Sequence, residues 1–380
     1  MRNENDFFAT TAKGMESLLA QELREMGITE IQEKRAGVAF RGTLEAGYRA
    51  CLWSRIANRI LLPLRTFSAP DADALYQGVR SIHWTDHLTS QNTLAVDFSS
   101  SHSALTHTYF GALKVKDAIV DQFRTLQGLR PSVSVVCPDL RINVYVHENQ
   151  ATVSLDLSGE SLHQRGYRKE GSKAPLKENL AAAILKLAGW PRQDQGAFLD
   201  PLCGSGTLPI EAAMMSLRMA PGLHRSYFGF LGWLGHVPVL WKRLRQEALD
   251  CQVSGSKIPK IVGYEGDFRA VRAALQNLER AQLRGRVHIE KRDFSHCEPI
   301  ASHGVFLTNP PYGERLGDIQ QLKGMYRQMG DLLKKKFTNW EGYIFTGSSD
   351  LAKSIGLKPA QRFVLFNGAI ECRLLKFDLY

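Results

Sequence analysis

The sequence predicts an α/β protein whose C-terminal part is a doubly wound, mostly parallel sheet. Short apolar runs at residues 197–199, 261–264 and 305–308 have the length of buried strands, and helix-length segments separate them. Each run ends in acidic or polar residues. Ligands of open α/β sheets bind at the carboxyl ends of the strands, so this alternation predicts a ligand site at that edge.

The first 64 residues predict a small α+β unit of ferredoxin-like type. A strand at 7–10 precedes an amphipathic helix that Gly27 terminates, and two short strands follow. We expect the next helix to run from Leu44 to about Leu61. The resulting βαββα order is typical of this kind of unit.

Residues 65–160 predict a second α/β unit. Its helices and strands are expected at 72–79, 93–98, 108–126, 141–147 and 152–156. In the long helix, Lys114 and Lys116 lie beside acidic residues. This pattern fits either a solvated mixed-charge face or an RNA contact, and both interpretations stay open.

Residues 161–380 form the predicted catalytic unit, and a cationic linker leads into it. The linker carries Arg165, Arg168, Lys169 and Lys173. A charge run is usually a solvated face, but dense cations beside a ligand site also suit the steering of an RNA strand. These four residues are therefore candidate RNA-binding residues.

Two further segments of this unit have a clear pattern. An aromatic insertion at 227–233 (YFGFLGW) predicts a satellite core cluster, with a lid over a flipped base as the alternative. Near the C-terminus, Asn367-Gly368 separates two β-type runs, which is a strong hairpin signal.

The tetrapeptide Asn309-Pro310-Pro311-Tyr312 closes the third apolar run and indicates a specific chemistry. Two prolines lock φ and remove backbone donors, which fixes where the neighbouring oxygens point. The Asn309 side-chain carbonyl and the Pro310 main-chain carbonyl can then accept both N–H bonds of an exocyclic amino group. Tyr312 offers a ring face for a flat base. The motif predicts methylation of such a nitrogen, and a Pro-Pro turn with a surface tyrosine is the alternative.

A glycine loop after the first run predicts the cofactor site. Asp200 ends the strand, and Gly204 and Gly206 let the backbone pass close to a ligand. A nucleotide-binding dehydrogenase fits badly, because Pro209 takes the place of its third glycine and an acidic loop entrance would repel a pyrophosphate. An acidic entrance suits a cationic, amino-acid-like ligand such as S-adenosylmethionine. Cys203 is expected to be a small residue that fits the tight turn rather than a nucleophile.

Carboxylates at two further strand ends extend this predicted site. Glu265 is placed to hold both ribose hydroxyls, and Asp293 lies at the height of an adenine amino group. The remaining expected cofactor-binding residues are Leu202, Ser205, Phe294 and Asn309.

The composition excludes several classes of protein. The 380 residues are 44% hydrophobic, which allows an ample core, but no apolar stretch is long enough to span a bilayer and the N-terminus is no signal peptide. We expect a cytoplasmic protein without a membrane partner. The six cysteines show no C-x-x-C spacing, so neither a disulfide framework nor a metal site is indicated.

The net charge of +10 is unevenly distributed. Residues 1–160 carry sixteen Lys and Arg against eighteen Asp and Glu, whereas residues 161–380 carry thirty-two against twenty. A basic excess is the expected footprint of phosphate contacts, with a generic basic surface as the alternative. If the N-terminal half binds RNA, it must do so through a local basic patch, because its overall charge does not attract a polyanion.

Taken together, these motifs resemble a known family. Residues 165–380 are similar to class I S-adenosylmethionine-dependent methyltransferases. The whole chain resembles the bacterial THUMP-domain guanine-N2 methyltransferases that act on 23S ribosomal RNA. The stretches that carry the resemblance are 9–16, 52–55, 111–121, 155–159, 165–168, 200–207, 220–225 and 309–316.

The resemblance implies a fold and an activity. The fold is a Rossmann-like seven-stranded sheet with the terminal hairpin at its edge (161–380), preceded by a ferredoxin-like unit (1–64) and a THUMP RNA-binding domain (65–160). The implied reaction methylates guanine N2 in 23S rRNA, or in a pre-50S particle, after the base leaves its stack. The implied catalytic residues are Asn309, Pro310, Pro311 and Tyr312. Longer family members carry a second half that makes 7-methylguanine, so only the first activity is expected here.

Three other functions stay open. A tRNA guanine-N2 methyltransferase would share every motif, and a DNA adenine-N6 methyltransferase also uses an Asn-Pro-Pro-Tyr turn. The THUMP-like N-terminal half argues against a DNA substrate. A non-enzymatic ribosome-assembly factor is disfavoured, because every cofactor position is present.

Overall fold

The computed structural model describes residues 4–168, 176–253, 258–312 and 319–379. The chain divides into two compact units, and each unit is formed by three separate segments of the sequence. Unit 1 comprises Met1–Thr11, Leu19–Leu162 and Arg225–Gln246, and unit 2 comprises Ala12–Leu18, His163–His224 and Glu247–Tyr380.

Unit 1 is an α/β unit built on one mixed sheet. Its strands are β1 (Asn5–Thr10), β2 (Glu30–Lys34), β3 (Gly37–Gly42), β4 (Arg59–Ser68), β5 (Thr93–Ser101), β6 (Ser132–Val133), β7 (Leu140–His147) and β8 (Gln150–Asp156). Its helices are α1 (Glu16–Glu25), α2 (Leu44–Trp53), α3 (Ala72–Arg80) and α4 (Thr108–Gln127). Within the described residues the sheet has eight strands in the order β2-β3-β1-β4-β8-β7-β5-β6.

Helix α2 is shorter than the sequence indicated, and this is a correction. It ends at Trp53 rather than near Leu61, and Ser54 adopts an extended conformation. The buried Glu22 carboxylate fixes the turn, since it accepts hydrogen bonds from the Ser54 hydroxyl (2.6 Å) and the Arg55 amide (3.1 Å). The chain then forms β4, which pairs with both β1 and β8. Strand β4 therefore completes a βαββαβ unit and continues its sheet into the following strands.

The aromatic insertion 227–233 belongs to the core of unit 1. Phe228 and Phe230 are buried, and the ring of Phe230 stacks on Tyr48 with 4.2 Å between the centroids. Trp241 meets Phe230 edge to face at 5.0 Å. These contacts confirm the interpretation as a core cluster.

Unit 2 contains the predicted parallel sheet. Its strands are β9 (Ala197–Asp200), β10 (Ile261–Glu265), β11 (His288–Lys291), β12 (Gly304–Thr308), β13 (Trp340–Thr346), β14 (Gln361–Asn367) and β15 (Ile370–Asp378). The helices are α5 (Glu178–Leu187), α6 (Thr207–Ser216), α7 (Pro238–Asp250, most of which belongs to unit 1), α8 (Phe268–Arg280), α9 (Ile319–Lys336) and α10 (Ser349–Ser354).

The strand order indicates where a ligand would bind. Within the described residues the sheet has seven strands in the order β11-β10-β9-β12-β13-β15-β14, and the first five are parallel. The chain leaves β9 towards β10 on one side and returns to β12 on the other, so a topological switch point lies at the carboxyl end of β9. The seven-stranded fold is the expected one.

The C-terminal hairpin also forms as predicted. Strand β15 pairs antiparallel with both β13 and β14. Asn367 pairs with Ile370, and Gly368 takes the positive φ of +64° that the tight turn requires.

Two kinds of feature are absent from the described residues. None of their helices is long and apolar enough to cross a membrane. They also contain no group of three or more His, Cys, Asp or Glu side chains placed to hold a metal ion.

Candidate active site at the carboxyl edge of the parallel sheet

Parallel pairing brings the predicted site residues to one edge of the unit 2 sheet. Gly263 of β10 pairs with Asp200 of β9, so Glu265 lies two residues further along the neighbouring strand. On the other side β12 pairs with β9 through Phe306 and Leu199, which places Asn309 two residues beyond the level of Asp200. The three side chains therefore surround the switch point.

Asp200 lies on the floor of this edge. Its side chain is 1% exposed and accepts a hydrogen bond from the Leu202 amide at 3.1 Å. Burial raises the pKa of this carboxyl to about 7, and the nearby Glu265 charge acts in the same direction. A neighbouring cation would favour the ionised form, as expected for a residue that holds an ammonium group.

The glycine loop between β9 and α6 leaves room for a ligand. Gly204 and Gly206 have φ values of +53° and +84°, which only glycine adopts readily. A Cβ on Gly204 would meet no atom within 4 Å, whereas one on Gly206 would lie 3.2 Å from the Cβ of Ala274. Gly206 therefore lies in close contact with α8, whereas Gly204 faces open space. Burial raises the pKa of the Cys203 thiol well above its usual value, which supports its interpretation as a packing residue.

Glu265 is held in position by the main chain. Its Oε2 accepts from the Gly204 amide and its Oε1 from the Asp267 amide, both at 2.9 Å. Each oxygen retains a further lone pair. The pre-set carboxylate can therefore accept hydrogen bonds from two hydroxyl groups of a ribose.

Asp293 and Phe294 lie at the end of the third strand of the site. The exposed Asp293 accepts from the amide (2.9 Å) and hydroxyl (2.6 Å) of Ser295, and these bonds lower its pKa. Phe294 and Leu202 are partly buried and pack against the hydrophobic core of the sheet. An acceptor and apolar side chains of this kind would suit an adenine ring.

Two residues of α8 that sequence reasoning missed support the loop. Asn277 is 4% exposed and donates from Nδ2 to the carbonyl of Ser205 at 3.0 Å. Arg280 donates to Asn277 Oδ1 at 3.1 Å and to the Tyr167 carbonyl at 3.3 Å. The available signal was a polar residue on the apolar face of an amphipathic helix, because Asn277 follows the buried Val271 and Ala274 on that face.

The side-chain oxygen of Asn309 is a buried acceptor just after the end of β12. Among the described residues no donor reaches its Oδ1. An unpaired buried acceptor costs about 1–3 kcal/mol, so a donor supplied by a ligand would stabilise this oxygen.

A hydrogen-bond chain holds the next carbonyl of this turn. The Tyr326 hydroxyl lies 3.3 Å from the Pro311 carbonyl and 3.0 Å from Thr346 Oγ1. The Pro311 carbonyl can only accept, so the single Tyr326 O–H donates to it and the Tyr326 oxygen accepts from Thr346. Thr346 Oγ1 in turn accepts from the Ser348 amide at 3.2 Å, so the donors run in one direction, from Ser348 to Pro311. Tyr326 and Thr346 are buried, and sequence reasoning missed both.

Tyr312 is anchored to the C-terminal hairpin. Its hydroxyl accepts from Asn367 Nδ2 at 2.9 Å, with the Cys372 thiol 3.7 Å away. Burial raises the pKa of the hydroxyl to about 12. A Cβ on Gly347 would lie 2.8 Å from the ring, so this glycine packs against it. The hairpin therefore determines where the ring lies.

The linker arginines are placed inside unit 2 rather than on its surface. Arg165 is 1% exposed beside Glu211 (3.5 Å), and Arg168 pairs with Glu178 (3.3 Å). Such side chains cannot reach an RNA phosphate without breaking these ion pairs, and we assign them no RNA contact. The other two candidates of this linker, Lys169 and Lys173, lie outside the described residues.

The lysines of α4 are part of unit 1. Lys116 Nζ lies 2.5 Å from Asp117 Oδ1, which fits the mixed-charge interpretation. Lys114 Nζ lies 5.7 Å from the centre of the Phe110 ring. Their proposed contact with RNA stays a prediction.

The sequence matches three described domain families. Residues 165–376 match the RMKL-like methyltransferase domain, which is more than half of the chain. The chain belongs to this family. Residues 6–61 match the RlmL ferredoxin-like domain and residues 69–156 match the THUMP domain.

Curated relatives extend along the whole chain. It is 52% identical to Ribosomal RNA large subunit methyltransferase K/L of Methylococcus capsulatus over 98% of this chain and 51% of that protein. The protein of the same name from Syntrophotalea carbinolica is 48% identical over 98% of this chain and 53% of its own length. The chain thus spans about half the length of the curated relatives it matches.

Solved structures share the fold over the full length. SMU.472, described as a methyltransferase and complexed with SAH, has a TM-score of 0.89 and 31% identity over 100% of this chain and 99% of its own. A Listeria monocytogenes protein, described as a predicted N6-adenine-specific DNA methylase, has a TM-score of 0.88 and 30% identity over 100% and 97%.

Proposed function

We propose that this protein transfers a methyl group from S-adenosylmethionine to the exocyclic N2 of a guanosine in 23S ribosomal RNA. The names of the curated relatives support the class of acceptor. The single observation that carries the chemistry is the buried Oδ1 of Asn309 at the carboxyl edge of the sheet, which no donor reaches within the described part of the chain. That atom needs a donor, and an aromatic amino group supplies one.

The residues at this edge fit the cofactor. The buried Asp200 carboxyl would accept from the methionine ammonium, and the Glu265 carboxylate would accept from the ribose hydroxyls. The open space at Gly204 allows close approach of the loop. The relative solved with SAH, the demethylated form of this cofactor, supports the choice of cofactor. When bound, S-adenosylmethionine supplies an electrophilic methyl group.

The Asn-Pro-Pro-Tyr turn aligns the acceptor. Asn309 Oδ1 and the Pro310 carbonyl accept the two N–H bonds of guanine N2, and these bonds strengthen as the nitrogen becomes positive. A strong base is unnecessary, because the amine becomes acidic only as the methyl group arrives. Positioning of this kind can lower a barrier by roughly 7–11 kcal/mol.

The substrate base must be extruded from its stack to reach these atoms, at an unstacking cost of a few kcal/mol. Tyr312 is proposed to stack on the extruded base, since its ring is held by the hairpin at the end of the same turn. We further propose that the rRNA is met in the cytoplasm, either free or in a pre-50S particle.

A second candidate is methylation of adenine N6 in DNA. The Listeria monocytogenes relative is described as acting there, and two carbonyl acceptors would fit any aromatic amino group. The THUMP match at residues 69–156 favours RNA over DNA.

One assay separates these acceptors. The purified protein is incubated with methyl-labelled S-adenosylmethionine and, in parallel, unmodified 23S rRNA transcript, tRNA or DNA. We expect label in the 23S transcript alone, recovered after nuclease digestion as N2-methylguanosine by mass spectrometry. Label only in tRNA, or only in adenine of DNA, would overturn the proposal.

A further inference from the structure

A cleft of about 480 Å³ lies in unit 2 beside the candidate active site. One wall consists of Thr346, Gly347 and Ser348, at the carboxyl end of β13. Strand β13 is the parallel neighbour of β12, so this wall lies at the same edge of the sheet as the Asn-Pro-Pro-Tyr turn. Gly347 contacts the ring of Tyr312 directly from that wall.

The lining of the cleft is strongly basic. Among the described residues that line it are four cations and one carboxylate, Glu371; the cations are Lys353, Lys358, Arg362 and Arg373. In the antiparallel hairpin Arg362 pairs with Leu375 and Arg373 pairs with Val364. Paired residues point to the same face, so both guanidinium groups project into the cleft from neighbouring strands.

These cations are available to a ligand. Lys358 and Arg362 form no ion pair within the described residues. Arg373 lies 3.4 Å from Glu371, and Lys353 lies 3.1 Å from Asp350, with all four side chains well exposed. Exposed pairs of this kind contribute little to stability. The four cations of the cleft can therefore contact an anion without loss of a buried contact.

We propose that this cleft binds the ribose-phosphate backbone of the RNA strand next to the extruded nucleotide. The inference rests on the proposed function, and it names the part of unit 2 that holds the substrate. An extruded base is attached to a backbone that must be held close to the turn, and the cleft begins at the residue that packs on Tyr312. Four spread cations on an open surface suit a polyanion, and the planar fork of arginine suits phosphate oxygens.

Charge-removing variants of the two unpaired cations test the cleft. Arg362→Ala, Lys358→Ala and the double variant are assayed on unmodified 23S rRNA transcript. We expect KM to rise about three- to tenfold for each substitution, with kcat and cofactor affinity within about twofold of the parent, because a lost phosphate contact weakens ground-state binding. The salt slope of log KM should fall by roughly 0.7–0.9 per contact.

A matched control removes the same charge from the opposite edge of the sheet. Lys335 is exposed near the C-terminal end of α9, and that end leads to the start of β13. Lys335→Ala should leave KM and the salt slope near those of the parent. Equal effects of Lys335→Ala and Arg362→Ala, or a fall in kcat at unchanged KM, would overturn the proposal.

A direct binding assay distinguishes failure of the proposed cleft from failure of the proposed function. If the parent methylates no acceptor, the proposed function fails, and filter binding of the same transcript then decides the cleft. Loss of affinity in the double variant but not in Lys335→Ala supports an RNA site. Competition by poly-glutamate as effective as that by unlabelled transcript, at equal charge concentration, would assign the cleft to an acidic polypeptide and refute the RNA assignment.

Discussion

At the scale of single residues, the site contains two buried polar groups that a bound ligand would stabilise. Asp200 is almost fully buried with a pKa near 7, and Asn309 Oδ1 has no partner among the described residues. Burial of such groups is unfavourable unless a hydrogen bond or an opposite charge compensates it. Each therefore gives a prediction that concerns one side chain.

Asn309→Ala should depress the chemical step and leave binding near normal. By analogy with the loss of one hydrogen-bonding group to a transition state, we expect kcat to fall by about 10²–10³ with small changes in KM and cofactor affinity. Asn309→Asp retains an acceptor but adds a charge, so partial activity is expected. Wild-type rates for Asn309→Ala in a single-turnover assay would contradict the amine-alignment mechanism.

Cofactor affinity should depend on pH through Asp200. Its carboxyl has a pKa of about 7 in the free protein, and a bound ammonium group would lower it, so binding favours the ionised form and releases a proton. Affinity should then fall as the pH decreases from 8 to 6. Calorimetry in buffers of different ionisation enthalpy measures the proton release.

The matched control for this pH dependence is Asp200→Asn, which should bind the cofactor weakly at every pH. The stability of the free protein should depend on pH in the opposite direction. The folded carboxyl holds its proton more tightly than the unfolded one, so stability is lost as the pH rises from the ordinary aspartate pKa of 3.8 to about 7, and the loss is complete above that pH. Asp200→Asn should raise Tm at pH 8 more than at pH 5, and the opposite order would refute the pKa argument.

Tyr326 is predicted to act as a positioning residue for the turn. Tyr326→Phe removes the donor to the Pro311 carbonyl, and we expect kcat to fall about three- to tenfold, because one hydrogen bond contributes roughly 0.5–1.5 kcal/mol. Tyr343→Phe is a matched control, since that buried hydroxyl donates to Glu341 instead. A purely structural role would lower Tm equally in both variants and leave kcat unchanged in Tyr326→Phe.

At the scale of elements, the β14–β15 hairpin connects the edge of the sheet to the proposed base-binding ring. Asn367 at its turn donates to the Tyr312 hydroxyl, while Gly347 at the end of β13 packs on the ring. The hairpin thus both closes the sheet and orients a residue of the site. The position of the ring depends on an element more than fifty residues later in the chain.

Substitutions of Tyr312 separate the ring from the hydroxyl. Tyr312→Phe keeps the ring and removes only the bond to Asn367, so we expect a loss of activity within a few-fold. Tyr312→Ala removes the stacking surface, and base–aromatic stacking is worth about 1–3 kcal/mol, so activity should fall tenfold or more. Steady-state rates on the rRNA transcript measure both, and equal losses would argue against stacking.

At the scale of the whole molecule, the domain order along the sequence differs from the grouping in space. Residues 225–246 lie within the methyltransferase match but belong to unit 1, where Phe230 and Trp241 are buried. The proposed cofactor-binding residues all lie in unit 2. The boundaries 1–64, 65–160 and 161–380 remain a prediction, and truncation tests them.

A fragment of residues 161–380 should bind the cofactor but be poorly soluble. It retains the proposed cofactor site and the basic excess, yet it exposes the aromatic cluster that unit 1 covers. We expect cofactor binding by calorimetry, RNA affinity without site selectivity, and strong binding of a hydrophobic dye. Polar substitution of Phe230 and Trp241 should improve the solubility of the fragment and destabilise the full chain. Correct site-selective methylation by the fragment would contradict this division.

The local parts of the site were determined by the sequence itself. Apolar runs that end at Asp200, Glu265 and Asn309 predicted parallel strands, and parallel strands bring their carboxyl ends to one edge. The glycine loop and the Asn367-Gly368 turn follow from φ values that few other residues adopt. These features depend on residues close together in the chain, so strand length and turn chemistry are sufficient to predict them.

Tertiary structure decided what depends on distant partners. Helix α2 ends at Trp53 because the carboxylate of Glu22 binds the turn that follows, and propensity alone predicted a longer helix. Arg165 is buried beside Glu211, although its sequence context is that of an exposed cationic linker. Tyr326 reaches the Pro311 carbonyl only because α9 packs on the sheet. A charged group or hydroxyl meets its partner only when segments tens of residues apart pack together. The local spacing of residues therefore does not predict that contact.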